Sequence, residues 1–396
     1  MLFSRNISLG VFPALGYRPS GRLCAISQGL ARLPRGERIR LVSPPGQAEN
    51  VARIEYTSHR NARPPPVMGK NLEFVGLGEA LIDIFADGAA SLGGAPLNVA
   101  VHAHHLLQPL NLGRGVVVSA LGYDQWGAYA HSVLAENAMA TDYIAANKYP
   151  TGTASVFVRD GQTGFEIAQN VAWDYICATP ATNALAERCD AVCFGSLAQR
   201  SDVSREMIRD FLARAEKAWR LYDVNFRQNT LSRIRGYSRE IVEASCKLSS
   251  AMKANEHELV ELAEMFGLGA PGTRDEAAIW PQMEFFLREF GLEAVVVTRA
   301  ERGAMAVTPY EKLELPPADP VRGEVHPVGA GDAFSAGMLF GRSQAWPWRT
   351  TLDLAAKMGA WVTRHVSAIP KLSPEILQFI ADQTKTHDKS LLRRAT

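Results

Sequence analysis

The sequence predicts an α/β protein, a mostly parallel sheet covered on both faces by helices. Three observations carry this expectation. From Asn71 onward, short apolar runs of strand length alternate with helical patterns. Polar and glycine residues with chemical potential stand just behind several of those runs, where open sheets of this kind bind ligands. The 396 residues, 47% apolar and 21% charged, suffice for one large core with an appendage.

The elements follow in order. Residues 72–77 (LEFVGL) and 81–85 (LIDIF) are rich in Leu, Ile, Val and Phe and read as strands. Residues 96–107 read as a helix, and Pro96 suits a first turn. The run 115–121 is a buried strand, followed by a helix over 126–137. Residues 154–158 and 165–168, split by Asp160-Gly161, read as a hairpin. Strands are expected at 191–194, 221–224, 248–253 and 294–298. Helical patterns near 203–218, 256–266, 278–290, 331–342 and 350–365 alternate with them. No internal repeat is present.

Charge is unevenly spread. Residues 1–70 hold eleven Lys/Arg against three Asp/Glu, whereas the remaining 326 carry 31 basic and 38 acidic residues. The globular part is mildly acidic, so nucleic acid is not expected as a partner. No apolar run reaches membrane-spanning length, so no membrane partner is expected either. The five cysteines, Cys24, Cys177, Cys189, Cys193 and Cys246, form no CxxC and read as reduced, buried thiols of a reducing compartment. Residues 1–36 contain five arginines and no acidic residue, the composition of an organelle transit peptide or of a disordered tail. The expected location is therefore the cytoplasm, or a plastid or mitochondrion if that segment is a transit peptide. Residues 43–66, with Pro44-Pro45-Gly46 and Pro64-Pro65-Pro66, read as linker. The expected organisation is a basic N-terminal extension over 1–70, one domain over 71–385 and a basic tail over 386–396.

The most informative stretch runs from His326 to Gly337, HPVGAGDAFSAG. Gly329 and Gly331 free the backbone to turn tightly, and a helical pattern of small residues begins at once. A glycine turn that opens a helix points bare N–H groups outward and makes an anion site. Asp332 at its rim is placed to take a proton from an attacking hydroxyl. Anion cradle plus base is what phosphoryl transfer to an alcohol needs. Alone, the same four residues also describe a loop and a helix cap. Upstream, Gly76-Leu-Gly-Glu-Ala-Leu-Ile-Asp83 and Gly93-Gly-Ala-Pro-Leu-Asn98 add a close-approach glycine pair, a carboxylate and an amide. Asp83 offers acceptors and Asn98 offers donors and acceptors, the mixture that a sugar's hydroxyls require. A dinucleotide fingerprint fails on spacing, since Leu81 and Phe334 stand where a third glycine is needed. P-loop and protein-kinase motifs are missing from the sequence.

Taken together, the two clusters resemble the two signatures of the ribokinase-type (PfkB) carbohydrate kinases, with fructokinase the nearest likeness. The resemblance covers roughly residues 71–372. It extends to VSALGYDQWG at 118–127, TGTA at 151–154, GSLAQR at 195–200, DVNFR at 223–227 and NEHE at 255–258. It implies a three-layer α/β/α ribokinase-like fold with a small β lid built from residues near 85–93 and 150–170. It implies transfer of the γ-phosphoryl group of ATP, with Mg²⁺, to a sugar, fructose 6-phosphate being the product for a fructokinase. A homodimer paired through the lid is implied too. The roles implied are Asp332 as base, with the amides of Gly329, Ala330 and Gly331 stabilising the transferring phosphoryl group. Asp83, Gly93, Gly94, Asn98 and Arg227 would hold the sugar. Asn225, Thr298, Gly303 and Gly331 would line the nucleotide, and Asn255 and Glu258 would organise the metal.

The sequence makes four departures from the family pattern. His326-Pro327 stand where Asp-Thr is usual, Ala300 and Ser367 where glycines are usual, and Ala356 where an asparagine is expected. All lie on the nucleotide side. They leave open an active kinase with altered nucleotide contacts, a fructokinase-like binding or scaffold protein with impaired catalysis, and a kinase for another sugar such as 2-keto-3-deoxygluconate.

Overall fold

The structure, a computed structural model, describes residues 38–42, 53–57, 71–85, 87–159, 162–226, 238–269, 276–316 and 325–395. The chain divides into two units, residues 1–64 and 65–396.

In the first unit, β1 (Arg38–Val42) and β2 (Arg53–Thr57) pair antiparallel, with Arg38 opposite Thr57. The expectation of linker over 43–66 is thus corrected at residues 53–57. The alternation Ile39-x-Leu41 and Ile54-x-Tyr56 is the period-2 signal that the neighbouring prolines obscured.

The second unit opens with β3 (Leu72–Leu77), β4 (Leu81–Ile84), β5 (Ala90–Gly93), α1 (Ala95–Leu107), β6 (Gly113–Gly122), α2 (Gln125–Glu136), β7 (Ile144–Asn147), β8 (Gly152–Arg159) and β9 (Gln162–Ile167). It continues through α3 (Pro180–Arg188), β10 (Ala191–Phe194), α4 (Asp202–Arg214), β11 (Trp219–Asp223), α5 (Arg239–Lys247), β12 (Ala251–Asn255), α6 (Glu256–Phe266) and α7 (Glu276–Phe290). Then come β13 (Ala294–Thr298), β14 (Ala304–Val307), β15 (Lys312–Leu315), α8 (Ala330–Ser343), α9 (Trp348–Val362) and α10 (Pro374–Ala395).

Nine strands form the main sheet in the order β15-β14-β13-β12-β11-β10-β3-β6-β7. The seven from β13 to β7 are mutually parallel, and β14 and β15 close one edge antiparallel. Alternate residues of each strand feed two cores. Val75, Leu77, Val192, Phe194, Met252 and Val297 face α4–α7. Phe74, Cys193, Leu221 and Val296 face α1 and α8–α10. Three layers, helix, sheet and helix, result, as the sequence predicts. A second sheet, β5-β4-β8-β9, follows the end of β3; β5, β8 and β9 fall within the segments expected of the lid, and β4 precedes them. Arg159 pairs with Gln162 there, so the hairpin is as expected, although Asp160-Gly161 lie outside the described residues. Arg200 ties the end of β9 to the body. It bonds both oxygens of Asp174 at 2.8 Å and the Ala168 carbonyl at 2.6 Å.

Several boundaries differ from expectation. The strand expected over 248–253 is β12, three residues later, because Leu248 caps the end of α5. The expected tail over 386–396 is part of α10 as far as residue 395. Cys177 is exposed, not buried, while Cys189, Cys193 and Cys246 are buried free thiols as predicted; Cys24 lies outside the described residues. No described helix is long and apolar enough to cross a membrane. Removing residues 1–66 is expected to leave the cooperative thermal transition of the second unit in place; loss of soluble protein on truncation would overturn this boundary.

Candidate active site

The strand order reverses at β3. From there the chain moves to β6 and β7 on one side, and later returns to β10 on the other. Such a switch point opens a crevice at the carboxyl ends of the strands. Here Pro96, Gly195, Asp223 and Asn225 line it.

The sugar-side residues come together on this edge. Gly94 caps α1 with φ 110°, a conformation that suits only glycine, and a Cβ there would lie 2.5 Å from the Glu79 carbonyl. A Cβ on Gly93 would collide with the Asp83 carboxylate, so Asp83 and the glycine pair share one wall. Asn98, in the first turn of α1, is buried, and its Nδ2 donates to Asp332 Oδ2 over 2.8 Å. A carboxylate only accepts, so this bond fixes the amide's orientation. Asn98 Oδ1 is left buried with no partner among the described residues. An acceptor in that state suits a ligand hydroxyl.

Across the crevice, Gly329 is the left-handed N-cap of α8, with φ 84°. A Cβ there would lie 2.5 Å from the Ala368 carbonyl. The tight turn places the amides of Ala330 and Gly331 and the buried Asp332 in the first turn of α8. The Ala330 amide bonds the Pro327 carbonyl at 3.3 Å, which leaves the Gly331 amide as the first-turn donor in the position where a helix start attracts an anion.

Beneath this turn lies a charged cluster that sequence reasoning missed. Lys253 Nζ donates to Asp223 Oδ2 at 2.8 Å, and both side chains are buried. Ser335 Oγ donates to the same oxygen at 2.8 Å. A Cβ on Gly331 would lie 3.1 Å from Lys253 Nζ, so the ammonium sits against the anion turn. Burial pulls the Lys253 pKa down, but the bonded Asp223, with Glu258 and Asp332 nearby, outweighs it and holds the ammonium above its ordinary value. Burial foremost, then Asp223, pushes the Cys193 thiol up, with Asp332 and Glu79 adding to it. These charges therefore share one space. The available signal was a lone lysine between the apolar Met252 and Ala254 of β12.

The remaining residues divide. Asn225 takes φ 42°, a left-handed value that asparagine tolerates, just behind β11. Arg227 lies outside the described residues. Thr298 pairs in register with Asn255 at the ends of β13 and β12, and Gly303 follows with φ 86°. Asn255 and Glu258 are engaged with each other. Asn255 Oδ1 accepts from the Glu258 amide at 3.0 Å, and Glu258 Oε2 accepts from the Asn255 amide at 2.8 Å. This is a capping box that starts α6. Part of the GSLAQR run is also structural. Ser196 Oγ donates to the Val224 carbonyl at 2.7 Å and so receives the Tyr222 hydroxyl, also at 2.7 Å.

The sequence model of the pfkB family carbohydrate kinases matches residues 79–375. The chain belongs to that family. By that membership it is a carbohydrate kinase, a phosphotransferase with an alcohol as acceptor. It is 25% identical over 284 residues to the aminoimidazole riboside kinase of Salmonella typhimurium, covering 69% of this chain and 81% of the relative. Its fold matches the fructokinase of Xylella fastidiosa with bound ATP at a TM-score of 0.64 and 24% identity, over 79% of this chain and 99% of the other. It also matches the aminoimidazole riboside kinase of Salmonella enterica in complex with its riboside and an ATP analogue, at a TM-score of 0.62 and 20% identity, over 78% and 99%. These structural likenesses bear on the fold. They agree with the three-layer architecture derived above.

Proposed function

We propose that the chain is an ATP-dependent fructokinase that phosphorylates D-fructose at its 6-hydroxyl. The observation that carries the reading is the Asn98–Asp332 bond, which joins the sugar-side cluster to the anion turn across 234 positions of sequence. In this reading Asp332 accepts the proton of the attacking hydroxyl. Asp83, Gly93, Gly94, Asn98 and Arg227 hold the other hydroxyls. The amides of Gly329, Ala330 and Gly331, with Lys253 behind them, face the charge on the transferring phosphoryl group. Asn225, Thr298 and Gly303 line the nucleotide. The GSLA and DVNFR runs, and the ATP-bound fructokinase among the fold neighbours, favour fructose as acceptor.

Magnesium fits as a companion of the nucleotide. Among the described residues no three metal-ligating side chains cluster closely enough to hold an ion by themselves. Magnesium keeps most of its waters and takes few protein ligands. The carboxylates of Asp223, Glu258 and Asp332 act on the single ammonium of Lys253, an excess of negative charge that suits a cation. Asn255 and Glu258 would act on it through water.

A second reading, a sugar-binding relative with little turnover, draws on the four departures. Two are accommodated by the backbone. Ala300 keeps a left-handed φ of 48°, the conformation its usual glycine serves, and Ser367 Oγ accepts from the Ile369 amide at 3.2 Å. His326 brings no carboxylate to the turn. The test is ADP release by the full chain with ATP, Mg²⁺ and a panel of fructose, ribose, 2-keto-3-deoxygluconate, adenosine and aminoimidazole riboside. Turnover on fructose alone is expected. Turnover on a different member reassigns the substrate, and none, with fructose still bound in calorimetry, selects the second reading.

A further inference from the structure

Helix α1 carries a second polar side chain one turn beyond Asn98. His102 is buried, and its Nε2 lies 2.9 Å from the Ala368 carbonyl in the loop between α9 and α10. A carbonyl oxygen only accepts, so Nε2 carries the proton and donates. Nδ1 is then left buried without a partner among the described residues. The adjacent Val101 and Ala103 fill the core with apolar atoms, and a leucine at 102 would do so without an unbonded nitrogen. Burial pushes the imidazole pKa down to about 4, against the raising effect of the Ala368 bond, so it stays neutral near pH 7.

The position of Ala368 makes this bond consequential. A Cβ on Gly329 would lie 2.5 Å from the Ala368 oxygen, 2.8 Å from its Cβ and 2.9 Å from its Cα. The loop backbone is therefore seated against the left-handed residue that aims the α8 amides. One helix thus holds Asp332 through Asn98 and braces the anion turn through His102.

We propose that His102 is a positioning residue for phosphoryl transfer, holding the Ala368 carbonyl and through it the Gly329–Gly331 turn in register with the Asn98–Asp332 pair. The proposal rests on the sugar-kinase reading. It does not depend on which sugar is the acceptor.

The test uses the full chain, ATP and the sugar that turns over. His102→Leu fills the site without a donor, and His102→Gln returns one. His102→Leu is expected to melt close to the wild-type temperature, since it removes the unbonded Nδ1 but leaves the Ala368 carbonyl without its donor, and to keep the wild-type sugar Kd. Its kcat should fall about 10- to 100-fold, with a higher KM for ATP, as a displaced reaction geometry would cause. His102→Gln should recover most of the loss. Wild-type kcat and KM for ATP in His102→Leu would overturn the proposal, and so would a His102→Gln as slow as His102→Leu. If His102→Leu does not fold, His102→Met is read in the same way. If the wild type turns over no sugar, the kinase reading fails on its own. His102 is then judged by ATP affinity in calorimetry, where an equal affinity in wild type and His102→Leu, or no binding by either, overturns the proposal.

Discussion

Asp332→Asn is expected to lower kcat by about 10²- to 10⁴-fold, the usual worth of a positioned base, while leaving sugar affinity and melting temperature close to wild type. The substitution isolates the proton-accepting step. Asp332 is buried in the first turn of α8, and its Oδ2 accepts from Asn98 Nδ2. The amide of the variant has the same size and still offers one oxygen to Asn98, so the link between the sugar wall and the anion turn survives. What disappears is the second acceptor and the ability to take up a proton. Asp332→Ala is the contrasting case, because it also leaves the Asn98 amide donor without its partner and should weaken sugar binding. ADP release, calorimetry with the sugar and thermal melting separate the two variants. Wild-type turnover in Asp332→Asn would remove the aspartate from the chemistry and leave it a structural partner of Asn98.

Much of this site was legible because its signals are local. A glycine turn before a small-residue helix dictates the start of α8, and Gly93-Gly94-Ala95-Pro96 dictates the start of α1, whatever surrounds them. The alternation of apolar runs gave the sheet its central strands. The edge strands β5, β7 and β15, and β14 next to the edge, are four residues each and too short to show a period. The shift of β12 had a similar cause. Leu248 continues the apolar pattern of Ile241, Val242 and Cys246 on α5, so an apolar residue at that point does not mark a strand. The NEHE run shows a different limit. The same spacing serves a metal-organising element and a capping box, and only the geometry reveals that both side chains start α6. Lys253 was illegible for a third reason. Its meaning comes from Asp223, 30 positions upstream, and from Gly331, which the strand and helix packing bring alongside. Pairings of that kind depend on tertiary structure, and no local pattern encodes them.

Lys253→Met is expected to destabilise the chain by about 3–5 kcal/mol, because it leaves the Asp223 carboxylate buried and uncompensated. The pair is a direct contact of 2.8 Å between two buried groups, and the Ser335 hydroxyl on the same oxygen cannot neutralise the charge. Adding Asp223→Leu should restore most of that stability, since replacing a whole buried ion pair with apolar residues is often neutral or better. In the double variant the Ser335 hydroxyl can donate its one proton to the Gly331 carbonyl instead, 3.0 Å away. Turnover should not return with stability. The ammonium lies against Gly331, where, on the proposed reading, its charge would add to that of the first-turn amides toward the transferring group. Loss of one such preorganised contribution costs about 10²- to 10³-fold in kcat. Urea unfolding reports the first quantity, and kcat with KM for ATP reports the second. A double variant with wild-type kinetics would reduce Lys253 to a counter-ion for Asp223. A stable double variant with impaired kinetics would show that the buried pair is retained for the charge it presents to the nucleotide and not for the stability it lends the sheet.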